Sequence, residues 1–322
     1  MTRTRLLSLR PAALALVGST FILPLALTSP ASAATGQVFG VTQSNTFITF
    51  SRTTPGTLQS GRVITGLADT TERVLAIDIR PTTGVLYAVT NQSRLYTINP
   101  ATAAATRVGV LTVPLSGTEV GIDFNPVADS GGLASLRVVT NSGQNLRVDV
   151  TNAAATSDAN LAYAAGDVNA NRAPSIGDAA YTNNTSGATS TRLLDIDTFF
   201  NNLSEQAPPN SGTLTTKGLL GSNPGQQFVG FDIADDGVAL ASYSPDPEQS
   251  SVLYRIDVTT GTATRVGVIA DSDTDRVRDI AQEPTRLAPP VIPEVSQAAL
   301  LPLSALAVAG AAVVLRRRRI AS

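Results

Sequence analysis

The sequence predicts an all-β protein folded as a β-propeller, and three observations support this fold class. An apolar segment with a central aspartate recurs five times, at intervals of 45, 55, 54 and 47 residues. Strand-like segments and turns follow it, and repeats of about 40 to 50 residues with four strands each are typical of propeller blades. The hexapeptide Ala-Thr-Arg-Val-Gly-Val starts at both Ala105 and Ala263. The five aspartates are Asp78, Asp123, Asp178, Asp232 and Asp279.

The first complete repeat shows how one blade is read from the sequence. Residues 74–81 form an apolar segment that ends in Pro81, and Thr82-Thr83-Gly84 is a turn. Further strands are expected at residues 85–89, 94–98 and 105–111. Residues 228–268 repeat the same order of four strands, which together would form one antiparallel blade.

The two ends of the repeat region predict how the ring closes. After Asp279 the chain has only a first strand, because the Pro-rich residues 282–293 follow. Residues 38–42, 46–50 and 62–67 read as second, third and fourth strands without a first. One blade is therefore expected to be split between the chain ends, which leaves no open ring. The count gives five blades, and six is the alternative if the irregular repeat around Asp178 hides another.

Residues 1–33 have the pattern of a secretory signal peptide. Arg3, Arg5 and Arg10 precede an apolar run over residues 11–27, and Ala31-Ser32-Ala33 is a small-x-small cleavage site. An uncleaved membrane anchor is the alternative. The mature protein is expected to begin with the propeller ectodomain, residues 34–283.

The C-terminal end predicts a membrane anchor. A Pro-rich linker, residues 284–296, leads to the uncharged apolar residues 297–315, which are long enough to span a bilayer as a helix. Residues 316–322 contain four arginines, which favour the cytoplasmic side. We therefore expect the propeller on the extracellular face of a bacterial cell membrane, released if the tail is processed. The alternative is a buried core helix.

Composition excludes several classes of function. Residues 34–293, the ectodomain with most of the linker, carry sixteen basic and twenty-four acidic residues, a net charge of −8, which argues against nucleic acid as a partner. The chain has no Cys and no His. It therefore lacks the commonest general base and metal ligand, and every Ser-His or Cys-His nucleophile. These absences favour a protein that is not an enzyme.

The five repeated aspartates have two interpretations. They would line the central channel and bind a cation or polar ligand, or each would brace strand ends through backbone N–H groups. A binding site usually breaks the symmetry of a repeat, so their regularity favours the structural role.

Two less regular segments are candidate sites. Asp167, Asn169, Asn171 and Asp178 have the spacing of oxygen ligands in a calcium loop, so Ca²⁺ is the one cofactor considered; an Asx-turn loop is the alternative. Tyr181, Asn183 and Asn184 are residue types of adaptable binding loops. Their alternative is a hairpin that packs the tyrosine into the blade.

Several segments across the ectodomain together carry a resemblance to a known family. They are Ile77-Asp78-Ile79-Arg80-Pro81, Leu95-Tyr96-Thr97-Ile98, Asp123-Phe124-Asn125-Pro126, residues 136–147, Ala180-Tyr181-Thr182-Asn183-Asn184 and Gly212-Thr213-Leu214. With these segments the chain resembles the bacterial domain of unknown function (DUF) 4394 family, which implies an exported bacterial protein but no activity and no catalytic residues. Pro293-Glu294-Val295, with the apolar segment and arginines that follow, is also similar to bacterial C-terminal sorting tails.

Taken together, these features predict a surface-anchored binding module for an extracellular protein or glycan ligand, without catalysis. One alternative is an extracellular hydrolase of the glycosidase type, with its carboxylates drawn from Asp78, Asp123, Asp178 and Asp232. The other is a calcium-stabilised structural protein of the cell surface.

Overall fold

Five small sheets make up the computed structural model, which describes residues 36–221, 228–244, 250–270, 272 and 275–285. The predicted signal peptide, most of the linker, the apolar segment 297–315 and the arginine-rich tail lie outside these residues. Within the described ranges, no helix is long and apolar enough to cross a membrane.

Each sheet is one propeller blade, and the blades are numbered here from the chain termini. Blade 1 is β21-β1-β2-β3, blade 2 is β4 to β7, blade 3 is β8 to β11, blade 4 is β13 to β16 with β12 added, and blade 5 is β17 to β20. The strands are β1 Gln37–Thr42, β2 Thr46–Ser51, β3 Thr54–Val63, β4 Val74–Ile79, β5 Leu86–Thr90, β6 Arg94–Asn99, β7 Ala104–Val110, β8 Val120–Phe124, β9 Ser135–Thr140, β10 Asn145–Asp149, β11 Ala154–Ser157, β12 Ala162–Tyr163, β13 Ile176–Tyr181, β14 Leu193–Asp197, β15 Asn202–Gln206, β16 Thr213–Leu219, β17 Gly230–Ile233, β18 Ala239–Tyr243, β19 Val252–Ile256, β20 Ala263–Val268 and β21 Val277–Gln282. A one-turn α-helix, Pro126–Ser130, and a 3₁₀ turn, Pro209–Ser211, are the helical elements of the described chain.

The ring closes as the sequence predicts. Strand β21 pairs antiparallel with β1, with Val38 opposite Gln282 and Gly40 opposite Ile280. The irregular repeat forms one sheet, blade 4, whose extra strand β12 pairs in parallel with β16. The prediction of five blades is confirmed, and the six-blade alternative is wrong.

The outer strand of blade 1 differs from the expectation of residues 62–67. Strand β3 runs from Thr54 to Val63 and pairs with β2 through two register shifts. Pro55 and Gly56 obscured it in the sequence, although proline is compatible with a strand at a sheet edge. Thr65 has already left the blade, since it forms a bridge to Ala104 of blade 2.

Burial falls from the axis outwards. Every residue of the inner strands β8 and β13 is buried, whereas the outer strands β7 and β20 are largely exposed. A strand covered on both faces reads as a continuous apolar run, which is why the five inner strands stand out in the sequence. The apolar core lies between adjacent blades, where for example Leu95 of blade 2 packs with Ile122 and Leu136 of blade 3.

Two glycines let neighbouring inner strands approach closely. A Cβ on Gly121 of β8 would lie 2.5 Å from the Cα of Asp178 in β13. A Cβ on Gly230 of β17 would lie 2.6 Å from the backbone nitrogen of Ile280 in β21. Both obstacles are backbone atoms, so a side chain at either glycine would push two blades apart.

We expect Gly230→Ala to lower the free energy of unfolding by about 1 to 3 kcal/mol, because the added methyl group overpacks a backbone contact. Gly61→Ala is the matched control, since the nearest atom to its new Cβ is 3.9 Å away. That control should change the free energy of unfolding by less than about 1 kcal/mol. Chemical denaturation of both variants checks this, and equal effects would contradict the account of the close approach.

Candidate functional site

The five repeated aspartates join the blades at the axis. Each lies on an inner strand, and its carboxylate accepts a backbone N–H from the inner strand of the next blade. The direction is the same all the way round, from blade 1 to blade 2 and finally from blade 5 back to blade 1. The bonds are Ile77 N to Asp279 Oδ2 (2.6 Å), Phe124 N to Asp78 Oδ2 (2.7 Å), Tyr181 N to Asp123, Phe231 N to Asp178 Oδ2 (2.5 Å) and Gln282 N to Asp232 Oδ2 (2.5 Å).

This closed set of bonds, called here the aspartate ring, consists of buried carboxyl groups. Its members expose only 1 to 3 % of their surface. Burial raises the pKa of all five carboxyls above the usual range, to about 7 for Asp232 and for Asp279. The charge of neighbouring ring members raises the pKa of Asp78, Asp123 and Asp178 further. Each carboxylate is therefore costly to ionise without a compensating positive charge.

The ring members lie at two levels along the axis. Asp178 lies beside Gly121, two residues before Asp123. Asp279 lies beside Gly230, two residues before Asp232 in the same way. Two residues of strand span about 6 to 7 Å, so one level holds Asp178 and Asp279 and the other holds the remaining three.

The two levels are chemically different. Asp178 and Asp279 share a side-chain hydrogen bond, which requires one proton between the two carboxyls. Asp78, Asp123 and Asp232, called here the axial triad, each place one carboxylate oxygen within 4.8 Å of the other two. Oxygen ligands at this spacing suit a hard cation.

The hydrolase alternative placed its carboxylates in this ring. A glycosidase needs an acid and a nucleophile or base that reach the glycosidic bond. The ring carboxylates are almost fully buried and hold the backbone of the neighbouring blade. Substrate therefore has no access to Asp78, Asp123, Asp178 or Asp232.

A pocket of about 380 Å³ lies where the inner strands begin. Four blades contribute to it, each with a residue at or just before the start of its inner strand. Its position at the start of four inner strands places it at one mouth of the central channel. These residues are Leu75 of blade 2, Glu119 of blade 3, Phe228 of blade 5 and Arg278 of blade 1, and Arg73 adds a second guanidinium.

Arg278 is the central side chain of this pocket, called here the mouth pocket. Its guanidinium carbon lies 4.7 Å from the centre of the Phe228 ring, a cation–π contact. Burial lowers the pKa of Arg278, and the charge of Glu119 opposes this effect. The Nε of Arg278 is buried and has no hydrogen-bond acceptor among the described residues. A buried donor without an acceptor is costly, and it marks the place where a ligand would bind.

Phe228 is held in an unusual conformation beside this arginine. Its φ of 58° lies in the left-handed region, which bulky residues rarely adopt and which costs on the order of 1 to 3 kcal/mol. Oε2 of Glu119 accepts the Phe228 backbone N–H at 3.0 Å. Burial raises the pKa of Glu119, and this hydrogen bond opposes the effect. Such local strain is typical of functional sites, where the surrounding structure enforces it.

Sequence reasoning missed the mouth pocket, although one signal pointed to it. The residue before the repeated aspartate is Ile77, Ile122, Gly177 and Phe231 in four blades, but Arg278 in the fifth. A charge at a position that is otherwise uncharged breaks the repeat. The remaining pocket residues come from three other blades, most of them from loops, so no local pattern joins them.

The predicted binding loop lies at the opposite end of the inner strand of blade 4. Tyr181 is fully buried at the end of β13, the position that the hairpin alternative gives it. Asn183 is exposed, with φ 54°, and its Nδ2 donates to the carbonyl of Ser190. Asn184 Oδ1 is buried and accepts no hydrogen bond within the described part of the chain.

The structure does not bring the four predicted calcium-loop residues together. Asp167 Oδ1 accepts the backbone N–H of Asn169 at 2.8 Å, which is an Asx turn, and its Oδ2 accepts that of Thr216 in β16. Asn171 is exposed. Asp178 belongs to the aspartate ring on β13, three strands from β16 in the same sheet, or about 14 Å at the usual strand spacing.

Comparison with known proteins identifies similarity in sequence and in fold. The family model described as domain of unknown function (DUF4394) matches residues 46–281. No curated protein matches the sequence. A crystal structure from Bacteroides thetaiotaomicron, described as a structural genomics protein of unknown function, is 16 % identical with a TM-score of 0.48, over 77 % of this chain and 65 % of that one. A structure from Lactobacillus plantarum is 15 % identical with a TM-score of 0.40, over 76 % and 71 %. At these values the two likenesses carry no argument, and the chain spans less than two thirds of the length of the first of these structures.

The buried carboxyls predict an unusual pH dependence. The pKa of Asp232 is about 7 in the folded protein against an ordinary value of 3.8. A carboxyl with a raised pKa stabilises the fold fully below its ordinary value, and this contribution is lost as pH rises through the folded value. In buffer with chelator, the free energy of unfolding should therefore fall between about pH 4 and pH 7.

Denaturation at several pH values measures this dependence, and Asp232→Asn should flatten it because one titrating group is removed. Asp149→Asn, an exposed change at the last residue of β10, should leave the pH dependence as it is. A free energy of unfolding that rises from pH 4 to pH 7 would contradict the description of the ring.

Proposed function

The chain belongs to the DUF4394 family, and we propose that in this member the propeller is a non-catalytic binding module for a small anionic ligand. The ligand binds in the mouth pocket, with its anionic group against Arg278. The module is exported and held at the bacterial cell surface. The signal-peptide pattern of residues 1–33 and the apolar segment followed by arginines at the C-terminus support this location.

The buried Nε of Arg278, which lacks an acceptor, is the observation that carries the proposal. The Phe228 ring covers one face of the guanidinium, which leaves its edge for hydrogen bonds. A guanidinium edge presents parallel N–H donors that match the two oxygens of a carboxylate. A ligand carboxylate would therefore supply the missing acceptor.

The charge of the pocket supports an anion. Arg73 and Arg278 supply two positive charges, and Glu119 supplies one negative charge. Arg73 lies close enough to lower the pKa of Arg278 further, after the larger effect of burial. Two like charges in one pocket repel each other, and a bound anion relieves that repulsion.

The volume and the apolar lining of the mouth pocket restrict the class of ligand that fits it. A volume of about 380 Å³ is at the lower end of the range of roughly 300 to 1,000 Å³ for small-molecule sites. Leu75 and Leu115 line the same pocket and offer apolar surface to the body of the ligand. An acidic sugar combines a carboxylate with a ring of this size, so the proposal agrees with a glycan ligand.

The same lining favours binding over hydrolysis. Glycoside hydrolysis uses a pair of carboxyl groups on the two sides of the bond that is cleaved. Among the lining residues of the mouth pocket, Glu119 is the one carboxylate, and it already holds the Phe228 backbone. We therefore assign Glu119 to positioning Phe228.

Isothermal titration of the full-length chain with glucuronate and with glucose tests the proposal. Glucuronate should bind and glucose should bind at least tenfold more weakly, because the two differ mainly in the carboxylate that pairs with Arg278. Arg278→Gln should reduce glucuronate affinity at least tenfold, since a lost charge-assisted hydrogen bond costs about 1.5 to 3 kcal/mol.

Arg107→Gln is the matched control, since Arg107 is exposed on the outer strand β7 and far from the axis. Its glucuronate affinity should equal that of the unchanged protein. Equal affinity for glucose and glucuronate, or full affinity in Arg278→Gln, would rule out this site.

A further inference from the structure

We infer that the axial triad of Asp78, Asp123 and Asp232 is a calcium site at the centre of the propeller. It is separate from the mouth pocket, and it extends the role of the aspartate ring from joining the blades to holding an ion between them.

The spacing of the triad oxygens fits the coordination sphere of Ca²⁺. A cation cannot bind two oxygens that lie further apart than twice its own metal–oxygen distance. That distance is about 2.3 to 2.6 Å for Ca²⁺ and about 2.0 to 2.1 Å for Mg²⁺. The triad oxygens lie within 4.8 Å of one another, so even at this full separation they need to move only a few tenths of an ångström to bind one Ca²⁺, whereas the shorter Mg²⁺ bonds need a larger contraction.

In two of the three triad carboxylates, one oxygen accepts no hydrogen bond. Asp123 Oδ1 and Asp232 Oδ1 are buried and accept no hydrogen bond within the described chain. In Asp232 it is Oδ2 that accepts the N–H of Gln282. Joining the blades therefore leaves one oxygen of Asp123 and one of Asp232 for a cation, whereas both oxygens of Asp78 accept backbone N–H groups, from Ile79 and from Phe124. A buried oxygen without a donor is the feature that separates this cluster from carboxylates satisfied by the protein alone.

The charges around the triad call for a positive ion. The charges that act most strongly on Asp78 and Asp123 are those of other ring carboxylates. Asp235, three residues after Asp232, adds another negative charge at that side. Several carboxylates in a buried site ionise together only when a cation binds or protons neutralise them. A divalent ion would compensate most of the charge of the three side chains at once.

The axial triad is a better candidate for a calcium site than the predicted calcium loop around Asp167, which follows β12. Both oxygens of Asp167 already accept hydrogen bonds, from Asn169 and from Thr216. Asn169 and Thr216 would have to give up these hydrogen bonds before an ion could bind to Asp167. In the triad, Oδ1 of Asp123 and Oδ1 of Asp232 accept no hydrogen bond within the described chain, so only Asp78 would have to share an oxygen that already accepts an N–H.

Calorimetric titration of the full-length chain, first stripped with chelator, tests the inference with Ca²⁺, Mg²⁺ and Na⁺ as separate probes. One Ca²⁺ should bind per chain, at least tenfold more tightly than Mg²⁺. Ca²⁺ at one hundred times its Kd should raise the melting temperature by about 5 °C or more, because it binds the folded chain alone.

Asp123→Asn should weaken Ca²⁺ binding at least tenfold. Its amide oxygen still accepts the N–H of Tyr181, so the ring remains joined and the variant should fold. Asp257→Asn is the matched control, since Asp257 is exposed in the turn between β19 and β20, where its side chain accepts the Thr259 N–H. The control should bind Ca²⁺ as the unchanged protein does.

No Ca²⁺ uptake by the unchanged protein, together with equal melting temperatures in Ca²⁺ and in chelator, would overturn the inference. Full Ca²⁺ affinity in Asp123→Asn would also overturn it, because the ion would then lie elsewhere. If Asp123→Asn does not fold, Asp232→Asn takes its place with the same expected loss. Tighter binding of Mg²⁺ than of Ca²⁺ would contradict the assignment of the metal.

Discussion

The inner strand of every blade has one edge that no other strand of its own sheet covers, and these five edges face each other at a buried axis. Their backbone N–H groups need acceptors there, because a buried N–H without a partner costs free energy. The aspartate ring supplies them, one carboxylate for the next blade each time. The regular spacing of Asp78, Asp123, Asp178, Asp232 and Asp279 follows from this need. The aspartate ring also supports the pairing of β21 with β1. The carboxylate of Asp232 joins β21 to blade 5, and that of Asp279 joins β21 to blade 2.

The aspartate ring also places five acidic groups close together in a buried site, which is electrostatically unfavourable. Five buried carboxyls are hard to ionise; Asp178 and Asp279 share a side-chain hydrogen bond, and one oxygen of Asp123 and one of Asp232 accept no hydrogen bond within the described chain. At the start of the inner strands the local charge is positive instead of negative, because Arg73 and Arg278 line the mouth pocket. The axis therefore offers a place for a cation inside and a place for an anion at its mouth.

The sequence predicts most of the fold because a propeller repeats its pattern. The buried inner strands, the blade count and the split blade all follow from segments that recur or are missing at a fixed period. Strand β3 was misplaced because Pro55 and Gly56 look like a turn when they lie in an exposed outer strand. The candidate sites were harder to predict from the sequence, because Tyr and Asp are common in binding loops. In the structure Tyr181 packs inside its blade and Asp167 forms an Asx turn. The mouth pocket combines four blades, and only Arg278, the exception to an apolar repeat position, marks it in the sequence.

Amide hydrogen exchange of the full-length chain tests most directly whether the carboxylates join the blades. The amides of Ile77, Phe124, Phe231 and Gln282 donate to ring carboxylates of the preceding blade, and all four residues are buried. We expect them to exchange only through global unfolding, so their protection should equal the free energy of unfolding measured by denaturation. Exchange of these four amides as fast as that of exposed loop amides would contradict the account.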